Sequence, residues 1–349
     1  MPEGHSVHRI ARQFALHFVG QSVTASSPQG RFAAGAAQIS GMRMTDARAV
    51  GKQMFLEFDE RLWLRVHLGM YGAWDFAGDI TADATTASAN GRMGQTNQRG
   101  TVVGAESGAA PVSPAPASAA PASPAAGQNG ENEDSLHSIG APRRTRLRMS
   151  ESEKLGMPLE TFPPEPIGAV RVRLRTEGAV ADLRGPTACE VLHPEEVQAV
   201  IAKLGPDPLL DDAGDGEDRF VTAVRKKQTP IGLILMDQAV VSGIGNVYRA
   251  ELLFRARLNP HTPGKLVTDD LARALWKDWS YLLELGVRTG QMMTMDDLDD
   301  EGYTRALANR DDRHWVYHRA GKPCRVCGTD IVMELAAARK LYYCPHCQA

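Results

Sequence analysis

Four of the five cysteines stand at the very end of the chain as Cys324-x-x-Cys327 and, sixteen residues on, Cys344-x-x-Cys347. This is the two-knuckle spacing of a tetrahedral tetrathiolate metal site, and zinc is the ion it suits. Four thiolates fill every coordination position, so one structural Zn2+ is expected, with no open site for chemistry. About thirty residues with no core of their own must fold around that ion. The chain therefore ends in a metal-held β hairpin, and function has to come from what the hairpin presents: Arg339 and Lys340 lie between the knuckles. Cys189 stands apart and reads as a small buried residue without a role.

The rest of the 349 residues has room for two further domains. Val7, Ile10, Ala11, Phe14, Ala15 and Phe18 recur at helical spacing, with Gly20 as a stop. Short strand-like segments follow at 22–25, 38–44, 54–58 and 62–66, which together suggest a helix beside a β-sandwich. Strand character resumes at 170–174. Beyond Gly185-Pro186 helical periodicity takes over, near 195–204, 218–227, 231–237, 246–256 and 269–285. The expected organisation is an α+β chain: a sandwich domain over 1–185, a mainly helical domain over 186–315 and the zinc module over 316–349.

Between about 78 and 168 the composition turns to Ala, Gly, Ser, Pro and polar residues, and 109–126 is almost wholly low-complexity. Such a sequence cannot bury a core, so a long structureless insertion inside the first domain is expected. Its basic run Arg143-Arg144-Thr145-Arg146-Leu147-Arg148 reads as a solvated segment before it reads as a nucleic-acid tether.

The formal net charge is −3. Six acidic residues between Asp207 and Asp218 and five between Asp296 and Glu301 account for it; without those eleven the balance is +8. A local anion-binding face, for instance around Arg225-Lys226-Lys227, is thus compatible with the total. No apolar run is long enough for a bilayer and the N-terminus lacks a secretory pattern, so a cytoplasmic protein is expected, without a membrane partner.

Two further motifs carry chemistry. Val241-Ser242-Gly243-Ile244-Gly245-Asn246 lies between helical patterns, and its glycines allow close approach of an anion to the helix start near Asn246. Taken in isolation, the motif reads first as an ordinary helix turn with Asn246 as N-cap. At the N-terminus, removal of Met1 ahead of Pro2 exposes a secondary amine with a pKa of ~8, partly neutral and nucleophilic near pH 7. Glu3 beside it is a carboxyl suited to proton exchange. Met-Pro-Glu also begins many proteins with no chemistry attached.

In combination these features resemble the formamidopyrimidine-DNA glycosylase and endonuclease VIII family. The resemblance is carried, in the family's order, by Met-Pro-Glu-Gly at 1–4, Gly51-Lys52 before a strand, His67-Leu68-Gly69-Met70-Tyr71-Gly72, Leu235-Met236-Asp237-Gln238, Gly243-Ile244-Gly245-Asn246-Val247-Tyr248 with Glu251, and Arg339 with Cys344-Pro345-x-Cys347-Gln348. It spans nearly everything but the insertion. It implies an N-terminal helix plus β-sandwich, a helix-two-turn-helix domain and a zinc-finger hairpin, with damaged DNA in the cleft and no second subunit. Pro2 would be the nucleophile, Glu3 the acid/base, and Lys52 a phosphate contact that assists the chemistry. Asn246 and Arg339 would grip phosphates, and Met70 and Tyr71 would fill the space left by a flipped nucleotide. Without the resemblance Met70 and Tyr71 read as core, and His67, His5, His8 and His17 offer no metal spacing.

Met-Pro-Glu-Gly-His and Tyr71-Gly72-x-Trp74 resemble the endonuclease VIII branch. That implies a bifunctional glycosylase and abasic-site lyase of base-excision repair at the nucleoid, acting on oxidised pyrimidines by β- or β,δ-elimination. The DNA would be duplex, single strand or bubble. The rival readings are an enzyme preferring 8-oxoguanine or formamidopyrimidine lesions, and a non-catalytic protein that binds damaged DNA.

Overall fold

The computed structural model describes residues 2–80, 137–140 and 162–349. Helix α1 (Gly4–His17) opens the chain. It lays Val7, Ile10, Phe14 and, just past its end, Phe18 into the core; Ala15, expected on that face, is exposed. Phe14 meets Trp74 and Phe76 at ring distances of 4.8 and 5.2 Å in edge-to-face contacts. The other side of α1 is unusual, because His5, Ser6, His8, Arg9 and Gln13 are buried as well. From Gly4 to Ala11 the helix is covered all round, so it serves two neighbours.

One neighbour is a sandwich of two antiparallel sheets. The first contains β1 (Thr24–Ser26), β5 (Ala73–Gly78), β6 (His137–Gly140), β7 (Val170–Arg175) and β8 (Ala179–Arg184) in the order β1-β7-β8-β5-β6. The second contains β2 (Met44–Val50), β3 (Gln53–Phe58), β4 (Leu62–His67) and β9 (Ala188–Leu192), in the order β2-β3-β4-β9. Alternate residues of both sheets, Leu56, Leu64 and Val66 from one and Val172, Leu174 and Leu183 from the other, join α1 in one core. The outer face of the four-stranded sheet, with Phe55 and Trp63, is covered by Val197 of α3 (Pro194–Ile201).

The other neighbour is the helical lobe, formed by α4 (Gly216–Arg225), α5 (Ile231–Ile234), α6 (Asn246–Arg255) and α7 (Asp269–Thr289), with α8 (Asp300–Ala308) at its edge. Its core runs through Phe220, Ile234, Tyr248, Leu252, Trp276 and Trp279. Helix α7 starts on a Thr268 side-chain cap and ends at Gly290 in the left-handed conformation, φ 69°. The C-terminal hairpin β10 (Val332–Ala336) and β11 (Arg339–Tyr343) turns through Ala337 and Ala338, both at positive φ as a two-residue hairpin turn requires.

Four expectations need correction. The stretch 38–44 is not a strand: alanine-rich α2 (Ala33–Ile39) takes its first two residues, burying Ala36 and Ile39 three residues apart, and β2 begins only at Met44. The sandwich does not end at 185, since β9 pairs with β4 from Ala188↔His67 to Leu192↔Trp63. Residues 137–140, inside the supposedly structureless insertion, form β6 against β5, with Ile139 fully buried. The remainder of that insertion, including the basic run 143–148, lies outside the described residues. Finally, the acidic run at 299–301 is more than charge. Asp299 caps α8 by accepting from Gly302 N at 2.7 Å, and the acids of the first turn suit the positive end of the helix.

Candidate active site and nucleic-acid interface

Three stretches of main chain meet where the two lobes touch. Gly4 N donates to Gly243 O at 2.9 Å. A Cβ on Gly4 would lie 3.0 Å from Gly243 Cα, and one on Gly51 would lie 2.7 Å from Ser242 Cβ and 3.0 Å from Gly243 N. At Gly51, which also has φ 58°, only hydrogen fits, and at Gly4 a methyl group would have to push its neighbours aside. The junction brings the N-terminus, the β2–β3 turn and the start of α6 together.

Glu3 spans it. Its backbone, extended at φ −120°, sits at the N-cap of α1, but its side chain does not cap that helix. The carboxylate crosses to α6. Oε2 accepts from Gly245 N at 2.8 Å and Tyr248 N at 3.4 Å, and Oε1 accepts from Val247 N at 2.9 Å. Glu3 is completely buried. Part of the amide set that the sequence suggested for a phosphate thus holds the protein's own anion at the helix N-terminus. Asn246 is the first residue of α6; its Oδ1 accepts from Arg249 Nη2 at 3.2 Å.

Lys52 occupies the two-residue turn between β2 and β3 with Gly51, Val50 pairing with Gln53 across it. Its Nζ donates to Ile244 O, which also accepts from Gln238 Nε2 at 3.1 Å. Burial, opposed by the Glu3 charge and aided by that of Arg339, brings the Lys52 pKa down to about 8. Arg339, exposed on the zinc hairpin, is therefore within electrostatic reach of the lysine. The hairpin is fixed to α6 by the buried Arg249, which donates to Lys340 O at 2.8 Å. A second tie is Glu251, whose carboxylate accepts from Trp315 N, Val316 N and Tyr317 N at 2.8–2.9 Å and from Thr294 Oγ1 at 2.6 Å.

The structure thus gathers Pro2, Glu3, Lys52, Asn246 and Arg339 around one seam. Pro2 is buried beside Glu3. Met70 and Tyr71 lie after Gly69 (φ 63°) and are 56% and 55% exposed, which removes the core reading. His67, set aside from sequence, is held to Thr187 Oγ1 at 2.6 Å; burial, then Lys52 and Arg65, lower its pKa. One participant escaped the sequence reading. Asp207, counted only among the acidic residues behind the net charge, is buried and receives Gly51 N at 2.6 Å and His8 Nε2 at 2.8 Å. The only sequence hint was its place in Gly205-Pro206-Asp207-Pro208.

The four terminal cysteines come together with all sulfurs within 4.8 Å of one another, Cys324 to Cys347 at 3.9 Å and Cys327 to Cys344 at 3.5 Å. Zn–S bonds of about 2.3 Å in a tetrahedron put sulfurs about 3.8 Å apart, so the set fits one zinc ion. Among the described residues no other cluster of three or more metal-ligating side chains occurs, and no helix is long and apolar enough to cross a membrane.

Comparison with known proteins agrees with this architecture. Residues 1–101 match the formamidopyrimidine-DNA glycosylase N-terminal domain, 204–297 its H2TH domain, and 321–349 a zinc finger found in FPG and IleRS. Endonuclease 8 1 of Mycobacterium tuberculosis is 33% identical over 348 residues, covering 100% of both chains. The formamidopyrimidine-DNA glycosylase of Rippkaea orientalis is 36% identical over 156 residues, 45% of this chain and 54% of that one. The Lactococcus lactis Fpg in complex with DNA containing N7-benzyl-Fapy-dG superposes over 99% of both chains with a TM-score of 0.63 at 16% identity. At that identity the likeness concerns the fold. With the full-length match to Endonuclease 8 1 and a seam built from both lobes, the chain belongs to the formamidopyrimidine-DNA glycosylase and endonuclease VIII family of DNA-repair glycosylases, on the endonuclease VIII branch.

Proposed function

We propose that the chain is a bifunctional DNA glycosylase and abasic-site lyase that removes oxidised pyrimidines from DNA at the nucleoid. The observation that carries the reading is the anchoring of two first-lobe groups, the Glu3 carboxylate and the Lys52 ammonium, onto the backbone of the second lobe at 244–248. Groups held in advance need no reorganisation when charge develops in a transition state.

In this reading Met1 is removed and the Pro2 amine attacks C1′ of a nucleotide turned out of the stack. The C1′–N bond breaks, the base leaves with a proton, and opening of the sugar gives an iminium. The iminium acidifies C2′; loss of that proton expels the 3′ phosphate by β-elimination, with δ-elimination available after it. Glu3 exchanges protons with the sugar ring oxygen or the departing base. Lys52, Asn246 and Arg339 hold phosphates on either side, and Met70 and Tyr71 enter the gap in the stack, where extrusion costs a few kcal/mol. Zinc supplies no chemistry; its four thiolates hold the hairpin that carries Arg339. Met-Pro-Glu-Gly-His supports the pyrimidine preference.

Borohydride trapping on oligonucleotides carrying 5-hydroxyuracil, 8-oxoguanine or an abasic site tests this, with P2G and E3Q beside the native chain. Trapping on the pyrimidine lesion that P2G abolishes supports it. Preferential trapping on 8-oxoguanine moves the substrate to oxidised purines. DNA binding with no adduct on any substrate leaves the non-catalytic reading.

A further inference from the structure

The geometry points to His8 as a positioning residue: through Asp207 it fixes the turn that carries Lys52 relative to the helix that carries Pro2 and Glu3. Asp207 comes from the second lobe and is nearly inaccessible. Its Oδ1 accepts from Leu209 N at 3.0 Å, which locks the side chain to its own turn. Its Oδ2 takes two donors from the first lobe, His8 Nε2 at 2.8 Å and Gly51 N at 2.6 Å.

Both first-lobe donors matter because of where they sit. In a two-residue hairpin turn the first turn residue's N–H is not used by the strand pairing. Gly51 N is therefore available, and Asp207 takes it. The next residue is Lys52, whose far end is bound to Ile244 O. The lysine is thus gripped by the second lobe at both ends, at the amide before it through Asp207 and at its ammonium through Ile244. His8 lies on α1, five residues beyond the N-cap Glu3. By sharing Oδ2 with Gly51 it ties α1 to the same oxygen that holds the lysine turn. Neither His8 nor Asp207 is among the residues proposed to touch DNA, so both act through the placing of Lys52. An unpaired buried carboxylate is expensive, which keeps the three groups together.

This inference rests on the proposed glycosylase activity, and its test separates the two. His8 is replaced by Gln, whose amide nitrogen can stand where Nε2 does, and by Asn, whose amide nitrogen stands near the position of Nδ1 and falls short of Oδ2. Single-turnover excision on a 5-hydroxyuracil duplex is measured with DNA affinity, alone and in a K52A background. H8N should slow excision by about 10- to 100-fold, the rate equivalent of one buried charge-assisted hydrogen bond, with affinity changed by less than about threefold. H8Q should recover most of the rate, and H8N should cost little more once Lys52 is absent. Hydrogen exchange at the Gly51 amide, faster in H8N and not in H8Q, reads the same latch without any activity. Equal impairment of H8N and H8Q, a full extra loss in K52A, or an unchanged Gly51 amide overturns the proposal. Failure of the native chain to form an adduct overturns the functional reading instead and leaves the exchange measurement to decide on the latch.

Discussion

Replacing Gly245 by alanine should unseat Glu3 without replacing any group that reacts. The backbone there is extended, φ −122° and ψ −159°, so alanine brings no conformational strain. Its Cβ, however, would lie 2.4 Å from Glu3 Cδ, 2.6 Å from Oε1 and 2.7 Å from Cγ. Carbon atoms rest about 3.5–4.0 Å apart, so the carboxylate must retreat by about 1.1–1.6 Å. From 2.8 and 2.9 Å, the two short amide contacts would be stretched past hydrogen-bonding distance. Two charge-assisted hydrogen bonds are worth about 3–6 kcal/mol together as an upper bound, before water or a rotated carboxylate recovers part. A group misplaced by about 1 Å costs about 100-fold in rate. Denaturant unfolding should show G245A less stable by about 2–4 kcal/mol, and single-turnover excision should fall about 100-fold, near the E3Q rate. If G245A unfolds with the native chain and excises within about threefold of it, then seating on α6 is not what prepares Glu3.

Lys52, with its pKa near 8, should lose its charge as pH rises through that value; a DNA-binding or excision limb set by charged Lys52 falls there, moves up in R339A and moves down in E3Q. His5 is held neutral by burial and by Arg9, its pKa pushed down to about 3. The unfolded chain then binds one more proton between about pH 3 and 6.5, so stability falls as pH drops through that window by about 1.4 kcal/mol per unit, and H5Q should flatten the curve in urea titrations. Alanine at Glu251 leaves three backbone N–H groups of residues 315–317 without their acceptor, and calorimetry should show a loss of about 3–5 kcal/mol. Chelation of zinc, or C347S, should unravel the terminal module and weaken DNA binding while far-ultraviolet circular dichroism of the helical lobe persists.

The terminal cysteines, α1, β3, β4, β7 and the long helices were legible in the sequence because each follows a local rule, ligand spacing or hydrophobic period. What stayed hidden depends on partners distant in the chain. Nothing around residue 139 predicts a buried strand, since Ile139 gains its meaning only against Trp74. Strand β9 has no buried face of its own to advertise it. Asp207 looks like any surface acid until Gly51 and His8 arrive from the other lobe. Glu3 was legible as a carboxyl suited to proton exchange beside Pro2, but its seat on α6, some 240 residues away in sequence, follows no local pattern. The helix start at Asn246 invited a phosphate for good reasons of charge. A carboxylate from the N-terminus satisfies the same physics.

The glycine junction has a consequence for how such a protein tolerates change. Where Gly4, Gly51 and Gly243 meet, the spacing between Pro2, Glu3 and Lys52 is set by main-chain atoms in van der Waals contact and not by side chains packed between them. Side chains elsewhere can be exchanged, loops lengthened and a long insertion accepted without altering that spacing. The registry behaves like a machined joint, indifferent to the material on either side. Such a joint can fail in only a few places, and there a single methyl group is enough.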